Sequence, residues 1–183
     1  MAVKSVCVFC GSRSGDDPAF AAQAALLGRL LAENNMRLVY GAGDVGLMGE
    51  VARAAQDAGG ETFGVIPTHL LKLEVGKRDL TSFVVTENMH ERKKVMFMNS
   101  DAVIVLPGGA GSLDEFFEVL TWRQLGLHDK PVLLLNTNGF WDKLVGLVDH
   151  VIAHGFADAS LKGFLTIVDD AQAVPATLRD ALS

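Results

Sequence analysis

The sequence predicts an α/β fold: one Rossmann-like domain over residues 1–183, a doubly wound parallel sheet with helices on both faces. Two observations carry that expectation. Short runs rich in Val, Ile and Leu alternate along the chain with longer segments of helical spacing, the order that βαβ units produce. Several of these runs, such as Ala102-Val-Ile-Val-Leu106, are apolar throughout, as expected of strands covered on both faces.

The first strand is expected over Ser5–Cys10 and the first helix over Pro18–Glu33, where Asp16-Asp17 before a proline makes a helix entrance. A strand over Arg37–Tyr40 follows, then a helix over Leu47–Ala58 closed by Gly59-Gly60. Strands at Thr62–Ile66 and Ser82–Thr86 flank the one long irregular stretch, Pro67 to Thr81. It is polar, carries Lys72, Lys77 and Arg78, and is expected to be a lid or a partner-contacting loop. The remaining elements are a helix over Met89–Asn99, a strand over Ala102–Leu106, a helix over Leu113–Leu125, a strand over Val132–Asn136, a helix over Phe140–His154 and a strand over Thr166–Val168. A helical turn or two follows Asp170.

With 49% hydrophobic and 21% charged residues, the composition is that of an ordinary globular protein able to bury a core without disulfide or metal. The formal net charge of −6, with no basic run, argues against a nucleic-acid partner. No apolar stretch approaches the roughly 18 residues of a membrane span. Met1-Ala-Val-Lys-Ser-Val runs on without the cleavage region of a signal peptide, so a cytoplasmic location is expected. Cys7 and Cys10 are spaced C-x-x-C, but residues three apart on a strand face opposite ways, so the thiols are read as core. His150 and His154, four apart on a helix, have no converging third ligand, and no metal site is expected.

Three glycine loops each follow an expected strand: Cys10-Gly-Ser-Arg-Ser-Gly15, Gly41-Ala-Gly-Asp-Val-Gly46 and Pro107-Gly-Gly-Ala-Gly-Ser112. In an open parallel sheet, ligands bind beyond the carboxyl ends of the strands, where a following helix offers free N–H groups and a positive dipole end. A phosphorylated nucleotide at Pro107–Ser112 is therefore expected. The middle loop fits G-x-G-x-x-G, but an NAD site also wants an acidic residue at the end of the next strand. Here Glu61 stands at that strand's beginning, and no cofactor is expected.

Pro107-Gly-Gly-Ala-Gly-Ser-Leu-Asp-Glu115, with Met89-His-Glu-Arg-Lys93 upstream, resembles the LOG family of cytokinin riboside 5′-monophosphate phosphoribohydrolases, long labelled lysine decarboxylase-like. Members carry P-G-G-x-G-T-x-x-E and M-H-x-R-K motifs. The likeness runs from Cys10-Gly-Ser12 through Gly46-Leu-Met-Gly49 to Thr121-Trp-x-Gln-Leu-Gly126 and covers most of the chain. Ser112 departs from the usual Thr but keeps the hydroxyl; Ala42 interrupts a usual G-G-G and bears on ligand approach at that position. The resemblance implies an enzyme of cytokinin biosynthesis that hydrolyses the N-glycosidic bond of a nucleoside 5′-monophosphate, AMP or an N6-modified AMP, to free base and ribose 5-phosphate. It implies Arg92 and Glu115 as the catalytic pair. It also implies Glu87, Arg92, Lys93, Gly108, Gly109, Gly111, Ser112 and Thr121 as substrate contacts, and a homodimer.

The chemistry is consistent with these residue types. Departure of the base leaves oxocarbenium-like charge on the ribose, which a carboxylate stabilises or answers by activating water. An arginine clamps phosphate or leaving-group charge in a way that lysine does not reproduce. Bland readings stand beside these. Ser112-Leu-Asp-Glu115 spells a capping box, and without Met89–Lys93 the cap would be preferred. Glu91-Arg-Lys-Lys94 could be a solvated helix face. Phe116, Phe117, Leu120 and Trp122 exceed what one helix stripe buries, and part of this surface, with the Pro67–Thr81 loop, is expected to form a two-fold interface. The competing function is a nucleotide or cofactor carrier without turnover, resembling molybdenum-cofactor carrier proteins. A pyridoxal-phosphate lysine decarboxylase finds no recognisable lysine context.

Overall fold

A computed structural model describes residues 4–71 and 79–183. Among these residues seven strands, β1 (Lys4–Phe9), β2 (Met36–Tyr40), β3 (Thr62–Pro67), β4 (Ser82–Thr86), β5 (Ala102–Val105), β6 (Val132–Leu135) and β7 (Leu165–Val168), form one sheet in the order β4-β3-β2-β1-β5-β6-β7. All pairings are parallel. The helices are α1 (Pro18–Glu33), α2 (Gly46–Asp57), the short α3 (Thr68–Leu71), α4 (Met89–Met98), α5 (Ala110–Gln124), α6 (Asp142–Ala153) and α7 (Val174–Ala181).

The chain steps outward from β1 to β4, returns across the sheet to the other side of β1, and steps outward again to β7. The order therefore reverses between β1 and β5, which places a crevice at their carboxyl ends. Val6 pairs with Ala102 and Phe9 with Val105. Past the last pair, the Leu106 N–H donates to the Phe9 carbonyl at 2.9 Å and the Gly11 N–H to the Pro107 carbonyl at 3.0 Å. The first and third glycine loops thus leave the sheet zipped together.

Strand residues alternate between two apolar layers. Val6, Val8 and Cys10 pack with α1, α2 and α7, whereas Cys7 and Phe9 pack with α4, α5 and α6. The two thiols are free, buried and on opposite faces. No helix among the described residues is long and apolar enough to cross a membrane.

Three boundaries differ from expectation for identifiable reasons. Pro67 completes β3 and Thr68–Leu71 coils into α3, so the irregular stretch is shorter; its Lys72, Lys77 and Arg78 lie outside the described residues. Helix α6 starts at Asp142 rather than Phe140 because Asn138 (φ 52) and Gly139 (φ 72) are left-handed just before it. Helix α5 starts at Ala110 rather than Leu113, with consequences for the site. Of the surface expected to supply part of an interface, Phe116 and Leu120 are only 0% and 3% exposed because they form the stripe of α5 that faces the sheet. Trp122 packs edge-on against Phe97 at 5.0 Å, and Phe117 remains exposed.

The closest helix contact is α1 on α2, at Gly28. A Cβ there would lie 2.2 Å from the Val51 carbonyl oxygen and 3.0 Å from the Ala55 nitrogen. Helix propensity alone favours Gly28→Ala by roughly 0.5–1 kcal/mol. The backbone clash outweighs it, and a net loss of about 1–3 kcal/mol is expected. Urea denaturation measures this; a stabilised variant would mean that glycine does not set the α1–α2 spacing.

Candidate active site

Beyond β5, Pro107 and Gly108 deliver the chain to α5, whose N-cap is Gly109 and whose first turn no side chain caps. The amides of Ala110, Gly111 and Ser112 lack intrahelical acceptors and sit at the positive end of a 15-residue helix, a ready anion seat. The glycines divide the work. A Cβ at Gly108 would fall 2.1 Å from Ser112 Oγ and 3.0 Å from the Gly11 nitrogen, so packing requires glycine there. A Cβ at Gly109 or Gly111 would meet nothing within 4 Å, so these two leave the space above the amides open.

This start removes the capping-box reading of Ser112 and Glu115. Gly109 takes an extended conformation (φ −100, ψ −151) and begins the helix early, which puts Ser112 inside the first turn and Glu115 in the second. Ser112 is instead buried beneath Gly108. A reciprocal cap does form, one motif upstream. Asn88 Oδ1 accepts the Glu91 N–H at 3.0 Å, and Glu91 Oε2 accepts the Glu87 N–H at 2.9 Å.

With α4 pinned at that end, Arg92 and Lys93 turn inward, each only 6% exposed, rather than forming a solvated face. Arg92 lies across the carboxyl edge of the sheet: Nε donates to the Val65 carbonyl at 3.1 Å and Nη2 to the Gly41 carbonyl at 2.6 Å. A Cβ at Gly41 would sit 2.0 Å from Nη2, so the first glycine of the G-x-G-x-x-G loop admits a guanidinium. The next residue, Ala42, adopts φ 58 and is fully buried against Gly64, away from the cleft. Its departure from glycine therefore does not lie on the ligand's path. Glu61 stands at the amino end of β3, the opposite edge from these loops.

Arg92, Glu115, Gly108, Gly109, Gly111 and Ser112 line one cleft of about 520 Å³, within the usual range for small-ligand pockets. Burial pushes the Glu115 carboxyl up to about 7. The charges of Arg92 and Lys93 oppose that rise, and those of Asp114 and Glu118 add to it. A carboxyl titrating there exchanges protons readily at neutral pH.

Three of the expected contacts stand elsewhere. Lys93 does not line the cleft; its ammonium is taken by Asp114 and Glu118. Glu87 is exposed just before α4. Thr121 is exposed and follows Gly109 by twelve residues, about 18 Å along the α5 axis. Conversely, Arg13 of the first loop lines the cleft, exposed, and sequence reasoning assigned it no role. Its signal was a cation inside a glycine loop at a strand end. Among the described residues no group of three His, Cys, Asp or Glu is placed to hold a metal. His154 Nδ1 lies 2.9 Å from the His150 carbonyl, with the two ring centroids 4.1 Å apart and the planes tilted by 41°.

A doubly wound parallel sheet whose switch-point crevice holds an uncapped helix start, an inward arginine and a carboxyl raised to about 7 defines a Rossmann-like protein with a candidate anion site. The profile of the family described as "Possible lysine decarboxylase" matches residues 48–178. The chain is 44% identical over 179 residues to a probable cytokinin riboside 5′-monophosphate phosphoribohydrolase of Oryza sativa subsp. japonica, covering 98% of this chain and 78% of the relative. It is 42% identical over 177 residues to the cytokinin riboside 5′-monophosphate phosphoribohydrolase of Rhodococcoides fascians, covering 96% and 89%. The chain belongs to this family, the LOG family. Among solved structures, the molybdenum cofactor carrier protein of Chlamydomonas reinhardtii superposes with a TM-score of 0.76 at 21% identity over 99% of both chains. The molybdenum cofactor binding protein of Rippkaea orientalis does so with a TM-score of 0.76 at 22%, over 100% of this chain and 99% of that one. At these identities the likeness is one of fold.

Glu115 makes a pH-dependent contribution to stability whose sign follows from its rise from 4.5 to about 7. Between those values the folded chain holds a proton that the unfolded chain has lost. The stability is therefore intact below pH 4.5 and drains away as pH climbs through 7. Glu115→Gln removes the titration. The variant is expected to match the wild type at pH 4 and to exceed it at pH 8 by about 1–3 kcal/mol. Denaturant melts at the two pH values measure this, and a constant difference would contradict it.

Proposed function

We propose that this chain hydrolyses the N-glycosidic bond of a nucleoside 5′-monophosphate, AMP or an N6-modified AMP, to free base and ribose 5-phosphate. The observation that carries the reading is the presence, in one cleft, of an open, uncapped helix start and a carboxyl pushed up to about 7. The phosphoribohydrolases at 42–44% identity support it. The carrier proteins, at 21–22%, share the fold alone.

In this reading the 5′-phosphate rests on the amides of Gly109–Ser112, with Arg13 supplying charge at the mouth. The ribose lies toward Glu115 and Arg92. The C1′–N bond breaks, its electron pair leaves with the base, and the base takes up a proton. Water adds to C1′ opposite the departing group and yields its proton to Glu115, whose carboxylate also faces the cationic ribose. Arg92, tied to two backbone carbonyls, supplies a fixed charge that costs no reorganisation during the reaction. Neither metal nor cofactor enters these steps. Lysine decarboxylation fits poorly. An imine-forming lysine needs a lowered pKa, whereas Lys93, although burial pulls it down, is held above its usual value by hydrogen bonds to Glu118 and Asp114.

The purified protein is expected to release base and ribose 5-phosphate from a nucleoside monophosphate and to act far more slowly on the nucleoside. Glu115→Gln is expected to lower kcat roughly 100-fold or more, about 2.7 kcal/mol of transition-state stabilisation. Gly109→Val is expected to fold, because a Cβ there meets nothing, and to lose AMP binding by calorimetry. Chromatography of products from a nucleotide panel is the direct test; equal rates on nucleoside and nucleotide would sink the phosphate anchor.

A cytoplasmic homodimer belongs to the same proposal. Phe117, Leu125 and Leu127, on and just beyond α5, are 39%, 67% and 68% exposed and offer the apolar surface that such a dimer would cover. Glu87 and Thr121, which line no part of their own cleft, would then serve the cleft of the second copy. Light scattering at micromolar concentration is expected to give twice the chain mass, and a monomer would refute it.

A further inference from the structure

Lys93 follows Arg92 on α4, yet its side chain is used differently. It is buried, its Nζ donates to Asp114 Oδ2 at 2.9 Å and also to Glu118 Oε2, and it lines no part of the cleft. Its two partners stand on α5, one immediately before Glu115 and the other three residues after it. One buried ammonium thus joins the helix that carries Arg92 to the helix that carries Glu115, at the turn where both face the cleft.

We propose that Lys93 is a positioning residue and not a substrate contact: its double ion pair holds α5 against α4 so that Glu115 and Arg92 share the cleft in a working protonation state. The turnover part of this inference rests on the hydrolytic reading; the structural part does not. Two physical arguments support it. An ammonium with both acids in reach has little left to offer a ligand, since freeing it would strand the partly buried carboxylate of Glu118. Moreover, Asp114, Glu115 and Glu118 are three carboxyls within two turns of one helix, and their mutual repulsion needs a compensating charge.

The groups around Glu115 set the sign of each perturbation. Arg92 and Lys93 face it from α4, Asp114 and Glu118 from α5, and the Cys7 and Cys10 thiols from β1. Burial raises both thiols well above their usual range, so they stay neutral and the four charges decide. Losing Lys93 leaves an excess of negative charge and moves the Glu115 titration upward. Losing the Glu118 charge moves it downward. Opposite movements are what a general packing role would not produce.

The test is a carboxyl 13C NMR titration of the ligand-free protein, with Glu115 assigned from the signal lost in Glu115→Gln, together with AMP calorimetry and steady-state kinetics. The Glu115 midpoint is expected near 7 in the wild type. It should rise by about half a unit or more in Lys93→Met, fall in Glu118→Gln, and return close to the wild-type value in Lys93→Arg. AMP affinity in Lys93→Met is expected to stay within about threefold while kcat drops roughly tenfold or more. An unmoved midpoint in Lys93→Met, or a tenfold loss of AMP affinity with the midpoint unchanged, overturns the proposal. If Lys93→Met does not fold, Glu118→Gln decides: a midpoint that fails to fall overturns it. Absence of turnover on every nucleotide in the wild type would defeat the hydrolytic reading alone, since the NMR titration needs no activity.

Discussion

Arg92 carries a permanent charge into a place that water barely reaches, and the surrounding structure is arranged to receive it. A buried guanidinium without partners would cost several kcal/mol. The partners here are backbone carbonyls, of Val65 in β3 and of Gly41 just past β2. Reaching both at once requires β2 and β3 to be neighbours, α4 to cross their carboxyl ends, and residue 41 to have no side chain. It also requires α4 to start at a fixed point, which the Asn88–Glu91 cap supplies. The M-H-x-R-K segment thus reads as a sequence of structural duties, with Met89 opening the helix, Glu91 capping it, Arg92 spanning the sheet edge and Lys93 tying it to α5.

The second anchor is the reversal of strand order between β1 and β5. Because those strands are neighbours, their loops emerge together and are joined by the Gly11–Pro107 hydrogen bond. That contact sets Arg13 and the uncapped start of α5 in the lining of one cleft. In a chain of net charge −6, two arginines and a helix start thereby gather in one cleft, alongside Asp16 and Glu115. The local arrangement of these groups, and not total charge, governs what the cleft attracts.

The sheet was legible in the sequence because its central strands are apolar on both faces, a pattern that ordinary amphipathic helices lack. Ser82–Thr86 and Pro18–Glu33 have the expected ends, the latter because Asp17 and Pro18 mark a helix start unambiguously. The open turn at the start of α5 was legible as a glycine loop because three such loops followed three strands. The start of α5 was not, since Gly109-Ala-Gly111 resembles loop, and only the open cleft above it shows why glycines begin a helix there. The surroundings of Lys93 and Thr121 were illegible for a related reason. Motif likeness says which residues travel together, but not that one faces a neighbouring helix or that another lies a little over three helical turns from the start of α5. Arg13 carried no motif and became visible only when two loops distant in sequence met. Ala42 looked like a defect in a ligand loop; its left-handed backbone and buried methyl place the strain behind the cleft instead.

Glu115 also bears on why one scaffold would host hydrolysis rather than carriage. A carboxylate beside a seat for a dianionic phosphate weakens binding by simple repulsion, and a protein that only held a nucleotide would gain nothing from keeping it. The repulsion is reduced while the carboxyl is protonated, which its burial favours at and below pH 7. Arg92 and Lys93 work in the opposite direction and keep an ionised fraction available. Those opposed influences make sense when the group must meet two charge states of one ligand. Toward the anionic ground state the ionised carboxylate is unwelcome; toward a ribose that has lost its base and become cationic, the same charge is attractive. An interaction that is unfavourable before the reaction and favourable at its summit is differential binding of the transition state, and that is the form in which binding energy accelerates a reaction.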